Sequence, residues 1–203
     1  MARIKLGEVS KPSNYGIDPE NLSIEQRLAS GFILLDKPQG PTSHQIASWV
    51  RDLLGLERLG HGGTLDPFAT GVLPLMAGKS MKLTKGILKT DKTYIAVLKF
   101  AQDTSLDSLN EVISKLSGRI YNVPPEISAV KVQVRTRKIY NFELIESTTT
   151  QAIVKIVCEA GTYIRTIARD MGLLLGYKVE LKELRRENSG RFKLSDCVTL
   201  QQI

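Results

Sequence analysis

Asp66 lies in the run Gly60-His61-Gly62-Gly63-Thr64-Leu65-Asp66-Pro67-Phe68-Ala69-Thr70-Gly71, which holds four glycines and one proline in twelve positions. No period of 2 or 3.6 runs through it, so the spacing predicts a loop. Glycine lets such a backbone approach a ligand closely, and Pro67 biases Asp66 toward an extended conformation. A single carboxylate held this way is a candidate nucleophile or general base, although Asp-Pro in a loop is more often only a turn device. Other chemistries fail on spacing. Gly78-Lys79-Ser80 imitates the end of a phosphate-binding loop, but Leu73 stands where that motif needs glycine. His44 and His61 are the only histidines and neither has Cys or His at ligand spacing, so no metal site is expected. A Gly-x-Ser-x-Gly elbow is missing as well.

The loop needs elements to hold it. Residues 1–30 are polar, with Pro12, Gly16 and Pro19, and read as a loosely structured N-terminal arm. Phe32-Ile33-Leu34-Leu35 reads as a buried strand running into a turn at Pro38 and Gly40. Thr42 and Gln45 form a capping box for a helix whose apolar face is Ile46, Trp49, Val50, Leu53 and Leu54, closed by Gly55. Residues 72–77 read as a strand or a buried segment, and further strands are expected over 93–100, 127–134, 142–146, 152–158 and 179–185. Helices are expected near 80–89, over 106–116, and from Thr162 to Gly176 with Ile164, Ile167, Ala168, Met171 and Leu175 on one face. The mixed order and hairpin-length spacings predict an α+β domain on a mixed, largely antiparallel sheet flanked by helices.

With 203 residues the chain can bury a full core without metals or disulfides, and it has only Cys158 and Cys197. No apolar run approaches the roughly 20 residues that span a bilayer, and a soluble, cytoplasmic protein is expected. The charge is segregated: 28 basic against 21 acidic residues give +7, yet residues 79–99, 131–140 and 182–193 carry +5, +4 and +3. Such patches suit a polyanion partner, because each neutralised phosphate releases counterions. The alternative is a solvated lysine-rich surface.

The string from Gly60 to Pro67, continuing Ala69-Thr70-Gly71-Val72-Leu73-Pro74, resembles the catalytic motif of the TruB/dyskerin family of RNA pseudouridine synthases. Five other segments resemble the family's motifs in family order. They are Leu35 to His44, Asp91-Lys92-Thr93-Tyr94, Pro124-Pro125 through Lys131, Cys158 to Arg165, and Glu183-Leu184-Arg185-Arg186. His61-Gly62-Gly63-Thr64 and Arg135-Thr136-Arg137-Lys138-Ile139-Tyr140 are similar to the archaeal, dyskerin-like branch. The short run from Phe100 to Pro124 leaves no room for the RNA-gripping insertion of the bacterial enzymes.

The resemblance implies a pseudouridine synthase fold over residues 31–203 and isomerisation of uridine without cofactor or metal. Asp66 matches the catalytic carboxylate, acting on the ribose, on the base or on a ribose proton. Arg165 matches its ion-pairing partner, and Tyr94 the residue that stacks on the target base and can move a proton. Leu184 matches a hydrophobic residue beside the base, and His61 a residue near the flipped nucleotide. Lys37 and Lys131 are expected as site-wall or RNA-backbone contacts. Arg135, Arg137, Lys138, Arg185 and Arg186 are expected on phosphates. Cys158 needs no chemistry and is expected to be a buried hydrophobe.

The substrate implied first is uridine 55 in the T-loop of tRNA. The same-branch rival is the catalytic subunit of an H/ACA guide-RNA particle, acting on rRNA with small protein partners. A catalytically silent RNA-binding scaffold and an N-glycoside hydrolase are the rivals of other classes. Family members usually carry a C-terminal PUA domain, whereas this chain ends at Ile203. The expectation is therefore a catalytic domain without PUA, monomeric on its own.

Overall fold

The structure, a computed structural model, describes residues 18–124 and 133–203. Its centre is a sheet of nine strands among those residues: β1 (Phe32–Lys37), β2 (Leu59–His61), β3 (Thr70–Ala77), β4 (Lys92–Phe100), β5 (Gly118–Asn122), β6 (Arg135–Ser147), β7 (Gln151–Cys158), β8 (Val179–Ser189) and β9 (Phe192–Lys193). The spatial order is β1-β3-β8-β4-β7-β6-β5, with β2 added on β3 and β9 on β8. Among the described strands β3 and β8 pair in parallel, over Thr70–Arg185 and Gly71–Arg186, and the other strand pairs are antiparallel; Leu35 and Val198 add an isolated parallel bridge. The mixed, largely antiparallel sheet expected from the sequence is what the chain forms.

Among the described residues five α-helices flank it: α1 (Ile24–Ser30), α2 (Ser43–Leu53), α3 (Thr84–Leu88), α4 (Leu106–Lys115) and α5 (Ile164–Leu175). Helix α2 starts with the Thr42–Gln45 capping box and ends before Gly55, as its sequence demands. Its buried face is shifted, however. Ser43, Ile46, Ala47 and Val50 point inward, while Trp49 and Leu53 are exposed. Helix α5 buries Ile164, Ile167, Ala168 and Met171, and stops at Gly176 in the left-handed region (φ 83°). That face and α4 cover one side of β4, β7 and β8, forming the larger core; a second cluster joins α2 to β1 and β3.

Residues 24–30 are not loose. Ser23 and Gln26 form a capping box, and α1 lies against a 3-10 helix over Gly78–Leu83. The single helix expected near 80–89 is divided into that 3-10 turn and α3. Strands β2, β5 and β9 are short and were not expected. Most of the strand expected over 127–134 lies outside the described residues, and so does Lys131.

Candidate active site

Three buried side chains grip the backbone of the loop that carries Asp66. Ser43, the first residue of α2, accepts from the Leu65 N–H (2.8 Å) and donates to the Leu65 carbonyl (3.1 Å). Lys37, fully enclosed, donates Nζ to the carbonyls of Pro38 (2.9 Å), Pro67 (3.2 Å) and Ala69 (2.9 Å). Arg186, 1% exposed, donates Nε to the Val72 carbonyl (2.8 Å) and Nη2 to the Gly63 carbonyl (3.0 Å). A tight turn closes where the Ala69 N–H meets the Asp66 carbonyl (3.0 Å), with Pro67 at its second position. Gly71 is obligatory: φ is +103°, and a Cβ there would lie 2.2 Å from the Arg186 carbonyl.

Asp66 is thereby aimed at the N-terminus of α5. Arg165, the second residue of that helix, places Nη2 2.9 Å from Asp66 Oδ1, with both side chains under a third exposed. The start of α5 is itself pinned. Asn122 accepts from the Tyr163 N–H (2.8 Å) and donates to the Tyr163 carbonyl (3.2 Å), and Thr166 donates to the Val123 carbonyl (2.7 Å). Ser43, Asn122 and Thr166 escaped sequence reading as positioning residues. Ser43 stands within the Leu35–His44 motif and Asn122 just before Pro124-Pro125, but neither residue type announces a long-range clamp.

Gly71, Arg186 and Tyr94 stand side by side in one row across β3, β8 and β4. Burial raises the Tyr94 hydroxyl pKa above its ordinary value, against the pull of the Arg186 guanidinium beside it. Tyr94 is therefore a neutral phenol at physiological pH. Leu184, two residues before Arg186 on the same face of β8, is buried in the larger core with Tyr94 and Leu65. His61, at the end of β2, meets His44 edge to face, with ring centroids 5.9 Å apart. Burial lowers the His61 pKa, reinforced by His44 and Arg186, so it is neutral at physiological pH. Beside Phe68 and Arg165 opens a largely apolar groove of about 900 Å³, continuing along Leu173, Tyr177 and Leu181.

The structure thus brings Asp66, Arg165, Tyr94, Leu184, His61 and Lys37 into one region, but it corrects several expected roles. Lys37, expected in the site wall or on the RNA backbone, lies inside the wall, and Arg186, expected on phosphates, is an internal brace. Both are enclosed, and their donors are spent on loop carbonyls. Arg185 points to the opposite face of β8, bound to Asp36 Oδ2 (2.7 Å) and Thr70 Oγ1 (3.1 Å). Arg137 lies half-buried over Gly161, 3.9 Å from Glu159, holding the turn before α5 rather than facing solvent. Arg135 and Lys138 are exposed on β6. Cys158 is buried, its thiol pushed up to about 12.

The family model described as "TruB family pseudouridylate synthase (N terminal domain)" matches residues 51–164. A DKCLD domain model matches residues 4–47, and "tRNA pseudouridylate synthase B C-terminal domain" matches residues 165–203. A protein of Pyrobaculum calidifontis named "Probable tRNA pseudouridine synthase B" is 44% identical over 98% of this chain and 60% of its own length. A solved structure titled "Crystal Structure of a Cbf5-Nop10-Gar1 Complex" is 39% identical with a TM-score of 0.91, over 96% of this chain and 60% of that one. Another, "Structure of H/ACA RNP bound to a substrate RNA containing 2'-deoxyuridine", is 36% identical with a TM-score of 0.88, over 96% and 59%. The chain spans about 60% of the length of the relatives it matches. Among the described residues no helix is long and apolar enough to cross a membrane. With more than half its residues under one family model, and the full fold shared at 39% identity, the chain belongs to the TruB family of pseudouridylate synthases, in its archaeal, Cbf5-like branch.

Proposed function

We propose that this chain is the catalytic part of an RNA pseudouridine synthase that converts uridine 55 in the T-loop of tRNA. The observation that carries the reading is the Asp66–Arg165 contact of 2.9 Å, with Tyr94 within electrostatic reach of Asp66 and Arg165 lining an apolar groove, in a chain of this family. The reaction breaks the bond from ribose C1′ to uracil N1, rotates the base and joins C1′ to C5; the C5 proton is lost and N1 gains one. Nothing is oxidised or hydrolysed, so one carboxylate, a cation to orient it and a neutral phenol near the base meet the demand. Arg165 holds Asp66 through a charge-assisted bond, and Tyr94 offers both a π-face and a hydroxyl to the base. The target uridine leaves its stack to reach Asp66. The same reading puts the chain in the cytoplasm with tRNA.

A second reading is favoured by the likeness to Cbf5 in complex with Nop10 and Gar1. In it the chain acts on rRNA within a guide-RNA particle with small protein partners. Pseudouridine mapping on unmodified tRNA with the purified chain and no guide separates the two. Product at position 55 supports the tRNA enzyme. Product only after guide RNA and small proteins are added supports the particle. Free uracil and an abasic site would indicate a hydrolase, and binding without chemistry a scaffold.

A further inference from the structure

Within the +5 stretch at residues 79–99, the four lysines before Thr90 take no part in the site described above. Lys79, Lys82, Lys85 and Lys89 are all exposed, on the 3-10 helix Gly78–Leu83 and on α3 that continues it. Residues three apart eclipse in a 3-10 helix, and residues three or four apart share a face in an α-helix. The four ammonium groups therefore form one stripe about 18 Å long, at ~2 Å per residue in the 3-10 part and ~1.5 Å in the α part. No acidic residue occurs from Pro67 to Thr90. Elsewhere on the surface Lys115, Lys155, Lys178, Lys182 and Arg169 are paired with carboxylates, whereas none of these four lysines has an ion pair among the described residues.

The inner side of the same segment packs against the catalytic loop. The Met81 Cε atom lies 3.2 Å from where a Cβ would stand on Gly60, a tight approach, and the Ile87 Cγ2 atom 2.4 Å from one on Gly62, where a Cβ would force Ile87 to shift. The carbonyl end of α3 is neutralised from within. Buried Lys92 donates Nζ to the carbonyls of Ile87 (3.1 Å), Leu88 (3.3 Å) and Thr90 (2.6 Å). The partial negative charge of the helix end is met on the inside, while the outer face stays uniformly cationic and borders the loop that ends at Asp66.

We infer that Lys79, Lys82, Lys85 and Lys89 form a phosphate rail that seats the substrate's backbone along the catalytic loop, a site whose RNA ligand rests on the function proposed above. Lysine suits this task as a mobile point charge that reads no sequence. Leu83 and Leu88 are also exposed there, and a lysine-leucine face of this kind could instead meet an anionic membrane surface. Segregation of the stripe onto the border of the catalytic loop favours RNA.

The test is the salt dependence of binding to an unmodified tRNA transcript by the full chain and by a Lys79→Ala, Lys82→Ala, Lys85→Ala, Lys89→Ala variant. A Lys99→Ala, Lys115→Ala variant serves as a control for lost surface charge. Four phosphate contacts carry a slope of about 3 in log affinity against log salt, so the rail variant loses about that much slope and, with the two lines meeting near 1 M, binds about 1,000-fold more weakly at 0.1 M salt; the control keeps the wild-type slope. An unchanged slope in the rail variant overturns the proposal, as does an equal loss in the control. Loss of binding to vesicles containing phosphatidylserine, with RNA affinity intact, overturns it in favour of a membrane. If the slope falls as expected but the wild-type chain makes no pseudouridine, the rail stands and the reaction assigned above fails.

Discussion

Arg165 and Asp66, ninety-nine residues apart in sequence, meet at 2.9 Å where the first turn of α5 faces the turn between β2 and β3. Each partner is fixed by its own set of backbone bonds, through Asn122 and Thr166 on one side and through Ser43, Lys37 and Arg186 on the other. The pair is thus preorganised, and it costs little ordering when substrate arrives.

Removing the pairing cation tests that geometry. Arg165→Ala is expected to slow single-turnover pseudouridine formation about 100-fold at saturating RNA, the scale of a displaced catalytic group. Arg165→Lys should recover only part of this, because an ammonium cannot reproduce the planar fork. Full activity in Arg165→Ala would show that Asp66 is held without it.

Arg186 separates two roles cleanly. As a buried brace it leaves the Gly63 and Val72 carbonyls unpaired when removed, so Arg186→Met should lose about 2–5 kcal/mol in denaturant unfolding. A phosphate contact would instead weaken RNA binding and reduce its salt slope without loss of stability.

Lys92 offers a pH signature. It is buried, and desolvation lowers its pKa to about 8 from the ordinary 10.5, with Arg186 adding to the effect. Between those two values the unfolded chain holds a proton that the folded chain has released. Stability therefore rises with pH through this window and is lost as pH falls toward 8. The unfolding free energy of the wild type should gain up to about 3 kcal/mol on Lys92→Met from pH 8 to 10.5. A difference independent of pH would mean that Lys92 stays charged.

His61 gives the corresponding effect in acid. Its lowered pKa means that the unfolded chain binds the extra proton as pH falls below 6.5, so stability declines there. His61→Phe should flatten the melting temperature between pH 7 and 5 relative to the wild type. An unaltered profile would place the acid sensitivity elsewhere.

Much of this was legible in the residues. The Thr42–Gln45 box set the start of α2, and Gly176 set the end of α5. The spacing of Ile164, Ile167, Ala168 and Met171 gave the face that α5 buries. The glycines around Asp66 announced a loop. What sequence did not show was where charges end up. Arg185 and Arg186 are identical neighbours, yet strand alternation sends one to the Asp36 side and the other into the core beneath the catalytic loop. Lys37 reads from its motif as a site-wall or RNA-backbone contact; burying an ammonium is costly, and two of the three carbonyls that satisfy it come from a turn about thirty residues away. Trp49 and Leu53 fitted a helical stripe, but α2 packs through smaller residues and leaves both outside.

Asp66 is proposed to supply the carboxylate that isomerises uridine. The most direct measurement is base-resolved pseudouridine mapping on unmodified tRNA incubated with the purified chain or with Asp66→Asn. Pseudouridine is expected with the wild-type chain and none with Asp66→Asn, while RNA affinity stays within a few-fold. Equal product from both proteins would contradict it.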